Sequence, residues 1–471
     1  MRLRLHRVLG VLLLVACGSA KSLPIQTNTG EIVDPRCITD ASVVPTPTLR
    51  LVTDAGLQAD NSYLLRETVE VRVEGVAPCA PVDLVFALRQ GGHSYGRFRS
   101  DFDGTVSTAR DAPLEGTWSV ADPEGPLWSM IDDQGGSPDV SVFAQVGQGA
   151  PLELTWKRRS RISNSDILPV RGYKGVFGDL YLPPGQGPFP GLVVFGGSEG
   201  GLAVGKALAT TFVNEGYLVL AISYFDPENP ALPASLESIP LEYFGAAIEV
   251  LKEHPDLRAG RIGLVGQSRG GEGALLIGAQ FNADVKAVIG LLPSGLIWPA
   301  WNAWDHPSWT VADAGVTFVP SRQTQVDVTL NDAGIEVFSQ SAVFRGSLAL
   351  ATPAELSAAE IAVEHIQGPV LLIGAQDDQV WPSCQLAQLA WNRLVDAGHT
   401  QRFPDDELAC VANSGHTLSP ANVGLPAGDS NEVVIAGVRF KYGGTTQGNG
   451  QGNREAWRRS IRFLERTLKG N

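Results

Sequence analysis

The sequence predicts an α/β protein, in which a mostly parallel sheet is covered by helices on both faces and is preceded by an antiparallel β-sandwich. Three observations predict this architecture. Short segments that alternate polar and apolar residues fill positions 46–156. From about 157 onward the strand-like segments become continuous apolar runs with helix-like segments between them, and one run ends in a polar turn bounded by glycines. Alternation is typical of antiparallel strands with one buried face, whereas apolar strands alternating with helices indicate a doubly covered parallel sheet.

The first twenty residues, MRLRLHRVLGVLLLVACGSA, predict an export signal. A basic start precedes an apolar core at 8–16 that is too short to span a bilayer as a stable helix. The core ends in Leu-Val-Ala-Cys, which resembles the bacterial lipobox. Residues 1–17 are therefore predicted to be a lipoprotein-type signal peptide, with Cys17 as the lipidated residue. An ordinary signal peptide with an incidental cysteine is the alternative.

The composition indicates a globular protein. Of the 471 residues, 44% are hydrophobic and 18% are charged, which predicts two or three domains with real cores. The formal net charge of -14 argues against a nucleic-acid partner, which requires a basic surface. Residues 18–45, rich in Thr, Pro and Asn, are predicted to tether this body to a membrane, as in a lipoprotein on the periplasmic or cell-surface side.

Four cysteines remain after Cys17, and an even number in an exported chain suggests two disulfides. Proximity in sequence favours the pairs Cys37–Cys79 and Cys384–Cys410. Buried free thiols are the alternative.

The predicted sandwich, 46–156, contains segments such as TVEVRVEGV, VDLVFALR and VSVFAQV, with Asp-Gly and Gly-Gly turn signals between segments. A charged, polar join at 157–166 leads into the second domain, 157–471. Its apolar strands include GLVVFGG, YLVLAIS, RIGLVGQ, VKAVIGLL and VLLIGAQ. A Trp-rich stretch at about 294–365 lacks this rhythm and is predicted to be an insertion that covers a substrate. The run QGNGQGN at 447–453 is predicted to be a polar loop.

The glycine-bounded turn, Gly266-Gln267-Ser268-Arg269-Gly270, matches the pattern G-x-S-x-G. A nucleophilic serine on a sharp strand-to-helix turn requires very small residues two positions away on either side. The apolar run before Ser268 and the helix-like run after it supply that context. Ser268 is therefore predicted to be a nucleophile, and a tight turn with an incidental serine is the alternative.

A serine nucleophile needs a histidine base and an acid that orients the histidine. His416, in the loop NSGHTLSP after a predicted strand, is the predicted base, and the alternative is a histidine that only caps neighbouring groups. His399 is predicted to lie on the surface. Asp377, the first of two aspartates after the strand VLLIGAQ, is preferred as the acid, and Asp378 is predicted to be a turn residue.

Backbone N–H groups are expected to stabilise an oxyanion in such a site. The N–H of Arg269, at the start of a helix, is one predicted donor, and the N–H of Ser198 or Glu199 in the glycine-rich turn GGSEGG is the other. Glu272 is predicted to be a first-turn acid favoured by the helix dipole, although it could touch the site. The histidines are scattered and no metal-binding motif occurs, so neither a metal nor a cofactor is predicted.

Several segments together resemble the acyl-CoA thioesterase and bile acid-CoA:amino acid N-acyltransferase family. They are DPEGPLWSM, HPDLRAGRIGLVGQSRGGEGAL, LLPSGLIW, VEHIQGPVLLIGAQDDQVWPS and the C-terminal part from NSGHTLSP to AWRRSIRFLERTL. The resemblance implies an immunoglobulin-like sandwich joined to an α/β-hydrolase domain. It also implies a Ser/Cys-Asp-His triad that maps onto Ser268, Asp377 and His416.

The resemblance implies acyl transfer. Family members that conjugate amino acids carry cysteine at the nucleophile position and the thioester hydrolases carry serine, so Ser268 favours hydrolysis of an acyl thioester or ester through an acyl-Ser268 intermediate. An acyltransferase and a non-catalytic lipoprotein that binds acyl ligands are the alternatives. The predicted export leaves open whether coenzyme A is the natural acyl carrier. Four tryptophans of the insertion could line an acyl pocket or could be structural: Trp298, Trp301, Trp304 and Trp309.

Overall fold

The structure of the protein, a computed structural model, describes residues 46–54, 56–89, 91–131, 139–301, 303–322, 326–331, 333–427, 431–435 and 438–470. The chain divides into two compact units. The first contains most of the chain up to Lys157, and the second runs from Arg158 onward and includes Leu64–Glu67 and Leu127–Ile131. The predicted signal peptide, the tether, Cys17 and Cys37 lie outside the described residues.

Antiparallel strands build the first unit. A six-stranded sheet has the order β2-β9-β8-β4-β5-β7, and a three-stranded sheet has the order β1-β3-β6. Along β4 the side chains of Val82, Leu84 and Phe86 are buried and alternate with more exposed neighbours, as the sequence pattern predicts. The immunoglobulin-like classification stays a prediction. The elements are β1 Thr48–Val52, β2 Ser62–Leu64, β3 Glu70–Glu74, β4 Pro81–Leu88, β5 His93–Arg99, β6 Val106–Ser107, β7 Glu115–Gly116, α1 Gly125–Trp128, β8 Val140–Val146 and β9 Leu152–Arg159.

An eight-stranded sheet forms the centre of the second unit, in the order β10-β11-β13-β12-β15-β16-β23-β24. The six strands from β13 to β24 are parallel, whereas β10 and β11 pair antiparallel. The predicted apolar runs lie in the parallel part, and every residue of β13 and β23 is buried. The strands are β10 Ile167–Tyr173, β11 Val176–Tyr181, β12 Phe189–Phe195, β13 Leu218–Ser223, β15 Leu257–Gln267, β16 Val285–Leu291, β23 Val370–Ala375 and β24 Glu407–Val411.

Helices cover both faces of this sheet. Val193 and Phe195 of β12 belong to one apolar core, and Leu192 and Val194 belong to the other, so successive residues of one strand face opposite layers. One core includes residues of α3, α4 and α7, and the second includes residues of α2 and α9. The predicted α/β-hydrolase fold is confirmed. The helices are α2 Ala203–Val213, α3 Glu242–Lys252, α4 Arg269–Gln280, α7 Ser383–Asp396, α8 His399–Arg402 and α9 Thr446–Leu464.

The described residues of the predicted insertion include two α-helices, a 3-10 helix at Val363–His365 and several short strands. Two small sheets have the orders β14-β19-β20 and β17-β18, and a four-stranded sheet has the order β21-β22-β26-β25. In the four-stranded sheet, β26 and β25 come from a segment that follows β24 in the chain, outside the insertion. In the three-stranded sheet, β14 comes from a segment that precedes the insertion. The elements are β14 Ile239–Pro240, β17 Pro299–Ala300, β18 Ala303–Pro307, β19 Trp309–Val311, β20 Ala314–Gly315, β21 Asp327–Leu330, β22 Glu336–Ser339, α5 Ser341–Leu350, α6 Pro353–Ala359, β25 Glu432–Ile435 and β26 Val438–Lys441.

The prediction of a polar loop at 447–453 is wrong, because this run forms the first turns of α9. Its glycines and asparagines are buried, so the backbone of the helix itself packs closely on its neighbours. A Cβ atom at Gly450 would lie 2.4 Å from the Trp128 ring. Among the described residues, no helix combines the length and apolar character that a membrane span requires.

The predicted disulfide Cys384–Cys410 is confirmed, with 5.5 Å between the two Cα atoms. It joins the first turn of α7 to β24. Cys79 is also disulfide-bonded, and Cys37, its predicted partner, lies outside the described residues.

Candidate active site

Ser268 stands at the junction between β15 and α4. Its backbone has φ 59° and ψ -123°, a conformation that non-glycine residues rarely adopt and that costs free energy. The glycines on either side make the turn sterically possible. A Cβ atom at Gly266 would lie 1.9 Å from the Gly270 carbonyl oxygen, and one at Gly270 would lie 2.1 Å from the Gly196 carbonyl oxygen. The pattern G-x-S-x-G is therefore a packing requirement of this turn.

His416 lies in the loop after β24 and contacts Ser268. The distance between His416 Nε2 and Ser268 Oγ is 2.9 Å. Nδ1 lies 2.9 Å and 2.8 Å from the two carboxylate oxygens of Asp378. If Nε2 accepts the Ser268 hydroxyl proton, Nδ1 carries the ring proton and donates it to this carboxylate.

The imidazole of His416 is held on several sides. Its backbone N–H donates to the Tyr442 carbonyl at 2.7 Å. The rings of Tyr442 and Trp381 pack edge-on against the imidazole, with centroids 5.6 Å and 6.4 Å away. His416 is only 7% exposed and Asp378 2% exposed, so the contact between them is largely shielded from water.

The prediction that Asp377 is the acid is wrong in its geometry, because Asp378 holds the contact with His416. The two adjacent side chains point in different directions after β23 ends. The Asp377 carboxylate accepts hydrogen bonds from Gln379 Nε2 at 2.7 Å and from the Gly444 N–H at 2.8 Å. Asp378 Oδ1 also accepts the N–H groups of Val380 and Trp381, so Asp378 serves both the turn and the imidazole.

The segments that carry the predicted oxyanion donors lie beside Ser268. As the first residue of α4, Arg269 has a backbone N–H without an intrahelical acceptor. Gly197 lies close to Ser268 and to the Arg269 N–H. A Cβ atom at Gly197 would lie 2.9 Å from Ser268 Cβ and 3.1 Å from the Arg269 nitrogen. The turn that contains Ser198 and Glu199 therefore passes beside Ser268. The assignment of the second donor to the N–H of Ser198 or Glu199 stays a prediction.

The Glu199 carboxyl group folds back onto its own turn. Its Oε1 accepts the Gly197 N–H at 2.8 Å. Although Glu199 as a whole residue is exposed, this inward-turned carboxyl group is desolvated. Desolvation raises its pKa, against the opposing effects of the backbone N–H donors and of His416. The Gly197 N–H is therefore occupied by a side chain of the same turn.

Glu272 does more than favour the helix dipole, because it is fully buried and pairs with Arg269 at 3.2 Å. Glu272 Oε1 also accepts the indole N–H of Trp309 at 2.7 Å. Burial raises the pKa of Glu272 to about 7, although Arg269 and the hydrogen-bond donors oppose this shift. The Arg269 guanidinium reaches three oxygens of the insertion, namely the carbonyls of Trp298 and Pro299 and the hydroxyl of Ser308.

This buried pair connects α4, the helix that follows Ser268, to the insertion. Sequence reasoning missed the Arg269 side chain, because charged residues in the first turn of a helix are usually solvated. The four tryptophans differ in burial, and the acyl-pocket role stays a prediction. Trp298 and Trp309 are 1% and 0% exposed and are packing residues, whereas Trp301 and Trp304 are partly exposed and pair with ring centroids 5.6 Å apart.

The prediction that His399 lies on the surface is wrong. His399 is fully buried, and its Nδ1 lies 2.7 Å from Asp406, away from the site. Within the part of the chain that the structure describes, no group of three or more His, Cys, Asp or Glu side chains is arranged to hold a metal ion.

The fold and this geometry define an α/β-hydrolase domain with a serine, a histidine and an aspartate in hydrogen-bonding sequence. The chain belongs to the acyl-CoA thioester hydrolase/BAAT family. The model of the C-terminal region of that family matches residues 239–470, and the model of its N-terminal region matches residues 66–156.

Curated relatives resemble the chain along most of its length. Acyl-coenzyme A thioesterase 6 of Mus musculus is 28% identical over 86% of this chain and 94% of its own length. Acyl-coenzyme A thioesterase 1 of Homo sapiens is 27% identical over the same shares, 86% and 94%. A solved α/β hydrolase, GrgF from Penicillium sp. sh18, is 16% identical over 64% of this chain and 98% of that chain, with a TM-score of 0.38, too low to bear on function.

Proposed function

We propose that the protein is a serine hydrolase that cleaves acyl thioesters or esters through an acyl-Ser268 intermediate. The observation that carries the proposal is the 2.9 Å contact between Ser268 Oγ and His416 Nε2, with the opposite ring nitrogen on the Asp378 carboxylate. The names of the relatives, which are acyl-coenzyme A thioesterases, support an acyl thioester as the substrate class.

In the proposed acylation step, Ser268 Oγ attacks the acyl carbonyl carbon while His416 Nε2 takes the hydroxyl proton. Asp378 keeps the imidazole in the correct tautomer and stabilises the imidazolium that forms. The N–H of Arg269 and an N–H of the Gly196–Gly201 turn bind the oxyanion. The bond to the leaving thiol or alcohol then breaks, and His416 returns the proton to that group.

In the proposed deacylation step, water replaces the leaving group. His416 takes a proton from the water as it attacks the acyl-Ser268 carbonyl, and the proton returns to Ser268 Oγ as the carboxylic acid departs. An acyltransferase would use an amine or alcohol in place of water. No contact among the described residues favours such an acceptor over water, so hydrolysis is the function proposed.

The test uses purified protein that starts after the predicted signal. Thiol release from long-chain acyl-CoA and phenol release from p-nitrophenyl acyl esters are measured side by side, with Ser268→Ala as the control. We expect turnover of at least one substrate class and none with the variant. Turnover that Ser268→Ala leaves unchanged overturns the proposal, and conjugates formed in the presence of glycine or taurine favour transfer instead.

We also propose that the protein is exported and anchored to a membrane by a lipid on Cys17. The support is the lipobox-like sequence and the Cys384–Cys410 disulfide, since disulfides persist mainly in oxidising compartments. Fractionation of cells that express the full chain tests this. The wild-type protein should be in the membrane fraction and incorporate labelled fatty acid. If Cys17→Ala still incorporates the label, the anchor is not on this residue.

A further inference from the structure

The first turns of α9 approach the loop that carries His416 closely at two glycines. A Cβ atom at Gly448 would lie 2.0 Å from the Asn413 carbonyl oxygen, and one at Gly452 would lie 2.2 Å from Ser414 Oγ. Ser414 Oγ in turn donates to the Gly448 carbonyl at 2.7 Å. Glycine is a poor helix former, so its repeated use here indicates that close approach to this loop outweighs helix propensity.

Asn449 lies between these glycines and is fully buried. Its Oδ1 accepts the N–H of Gly415 at 2.8 Å, and its Nδ2 donates to the carbonyl of Gly443 at 3.2 Å. Gly415 directly precedes His416, and Gly443 directly follows Tyr442. One amide group therefore joins two chain segments, and only a side chain with both an acceptor and a donor can make both contacts.

These two segments are the ones that hold the imidazole. Tyr442 accepts the His416 backbone N–H and packs its ring against the imidazole. The same segments also reach the turn of the acid, because Asp377 accepts the Gly444 N–H and its own N–H donates to the Ser414 carbonyl at 3.0 Å. Gly443 and Gly444 have φ of 83° and 77°, a backbone conformation that glycine adopts much more readily than other residues.

We propose that Asn449 is a positioning residue for the reaction. It fixes the His416 loop against the segment Tyr442–Gly444, so that Nε2 faces Ser268 Oγ while Nδ1 faces Asp378. This inference rests on the proposed function. The two side-chain hydrogen bonds of Asn449 described above go to the backbone of Gly415 and Gly443, so its effect passes through the backbone on either side of the imidazole.

Asn453 provides a matched control. It lies one turn further along α9, is 3% exposed, and accepts the N–H of Ser419 at 2.9 Å. Ser419 belongs to the same loop but is three residues beyond His416. Replacing either asparagine with alanine removes a buried amide and leaves a loop N–H without that acceptor, so both variants should lose stability, and Asn449→Ala also loses the contact with Gly443.

The experiment compares Asn449→Ala and Asn453→Ala in the protein that starts after the predicted signal. It is done at a temperature where near-UV circular dichroism shows that both variants are folded. The readouts are kcat and KM for the better substrate, and the rate of fluorophosphonate labelling of Ser268. We expect Asn449→Ala to lower kcat and the labelling rate by about tenfold to a hundredfold with little change in KM, and Asn453→Ala to change both rates by less than about twofold.

Asn449→Asp gives a second variant if alanine prevents folding, because it retains the acceptor for Gly415 and, when ionised, places a negative charge against the Gly443 carbonyl in place of the donor. Measured at a pH where this carboxyl group is ionised, it should lower kcat and the labelling rate. Equal rates for folded Asn449 and Asn453 variants overturn the inference, as does a wild-type rate in Asn449→Asp when Asn449→Ala does not fold. If wild-type protein neither labels nor turns over substrate, the proposed function itself fails and the positioning role fails with it.

Discussion

Ser268 and the pair formed by His416 and Asp378 are positioned in two different ways. Ser268 takes its geometry from neighbours within two residues, because Gly266 and Gly270 permit a turn that any Cβ atom would block. His416 and Asp378 lie 38 residues apart and are brought together by loops, by the Tyr442–Gly444 segment and by a helix near the C-terminus. A local motif is therefore readable from the sequence, whereas a site assembled from distant segments depends on contacts that the sequence does not display.

The largest expected effect tests the distant half of this comparison. His416→Ala removes the imidazole whose Nε2 lies 2.9 Å from Ser268 Oγ and can take its proton. We expect kcat to fall by about a million-fold, comparable to loss of the nucleophile itself. Ester hydrolysis under substrate saturation measures it, with Ser268→Ala as the reference. A loss of less than about a hundredfold would mean that another base serves Ser268.

The next prediction separates the two adjacent aspartates. Asp378→Asn should reduce kcat by about ten-thousand-fold, because an amide favours the wrong imidazole tautomer. Asp377→Asn is the matched control and should cost less than about tenfold, since its contacts are with Gln379 and Gly444. The ratio of the two kcat values decides the acid, and the reverse order would restore Asp377 to that role.

The smallest of these effects concerns stability and belongs to the nucleophile's helix. The folded-state pKa of Glu272 is raised from 4.5 to about 7, so between these pH values the folded protein holds a proton that the unfolded chain has released. The contribution of Glu272 to the free energy of unfolding should therefore be largest below pH 4.5 and fall by roughly 3 kcal/mol as the pH rises to 7.

Urea unfolding at pH 5 and pH 7.5 measures this fall, and Glu272→Gln is its control. The variant cannot ionise, so the part of the pH dependence that comes from residue 272 should be absent. A wild-type curve that rises over this range in parallel with the variant would show that Glu272 is ionised throughout.

The sequence predicts the catalytic domain well because the local patterns agree with the fold. Continuous apolar runs form strands whose successive residues face two different cores, and the glycine-bounded turn presents Ser268. His416 is predicted as the base because it follows a strand in a loop, and the structure places it in contact with Ser268. The preference for Asp377 is wrong, because neighbouring side chains in a turn point in different directions. Which of the two aspartates contacts the imidazole depends on the position of His416, 38 residues from Asp378.

Two other features were beyond sequence reasoning for related reasons. The start of α9 has glycine and polar residues without apolar periodicity, because a helix backbone, and not an apolar side-chain face, packs against the His416 loop. Arg269 and Glu272 read as ordinary charges of a first helical turn. The insertion buries them, and its position over α4 is a tertiary contact that no local pattern reports.

The measurement that tests the central claim most directly is intact-protein mass spectrometry shortly after mixing with a slowly hydrolysed acyl ester or acyl-CoA. The account predicts a mass increase of one acyl group, mapped by proteolysis to the peptide that contains Ser268 and absent in Ser268→Ala. In His416→Ala it should form far more slowly. Turnover of the same substrate with no adduct at any time, or with an adduct on a different residue, would contradict the account.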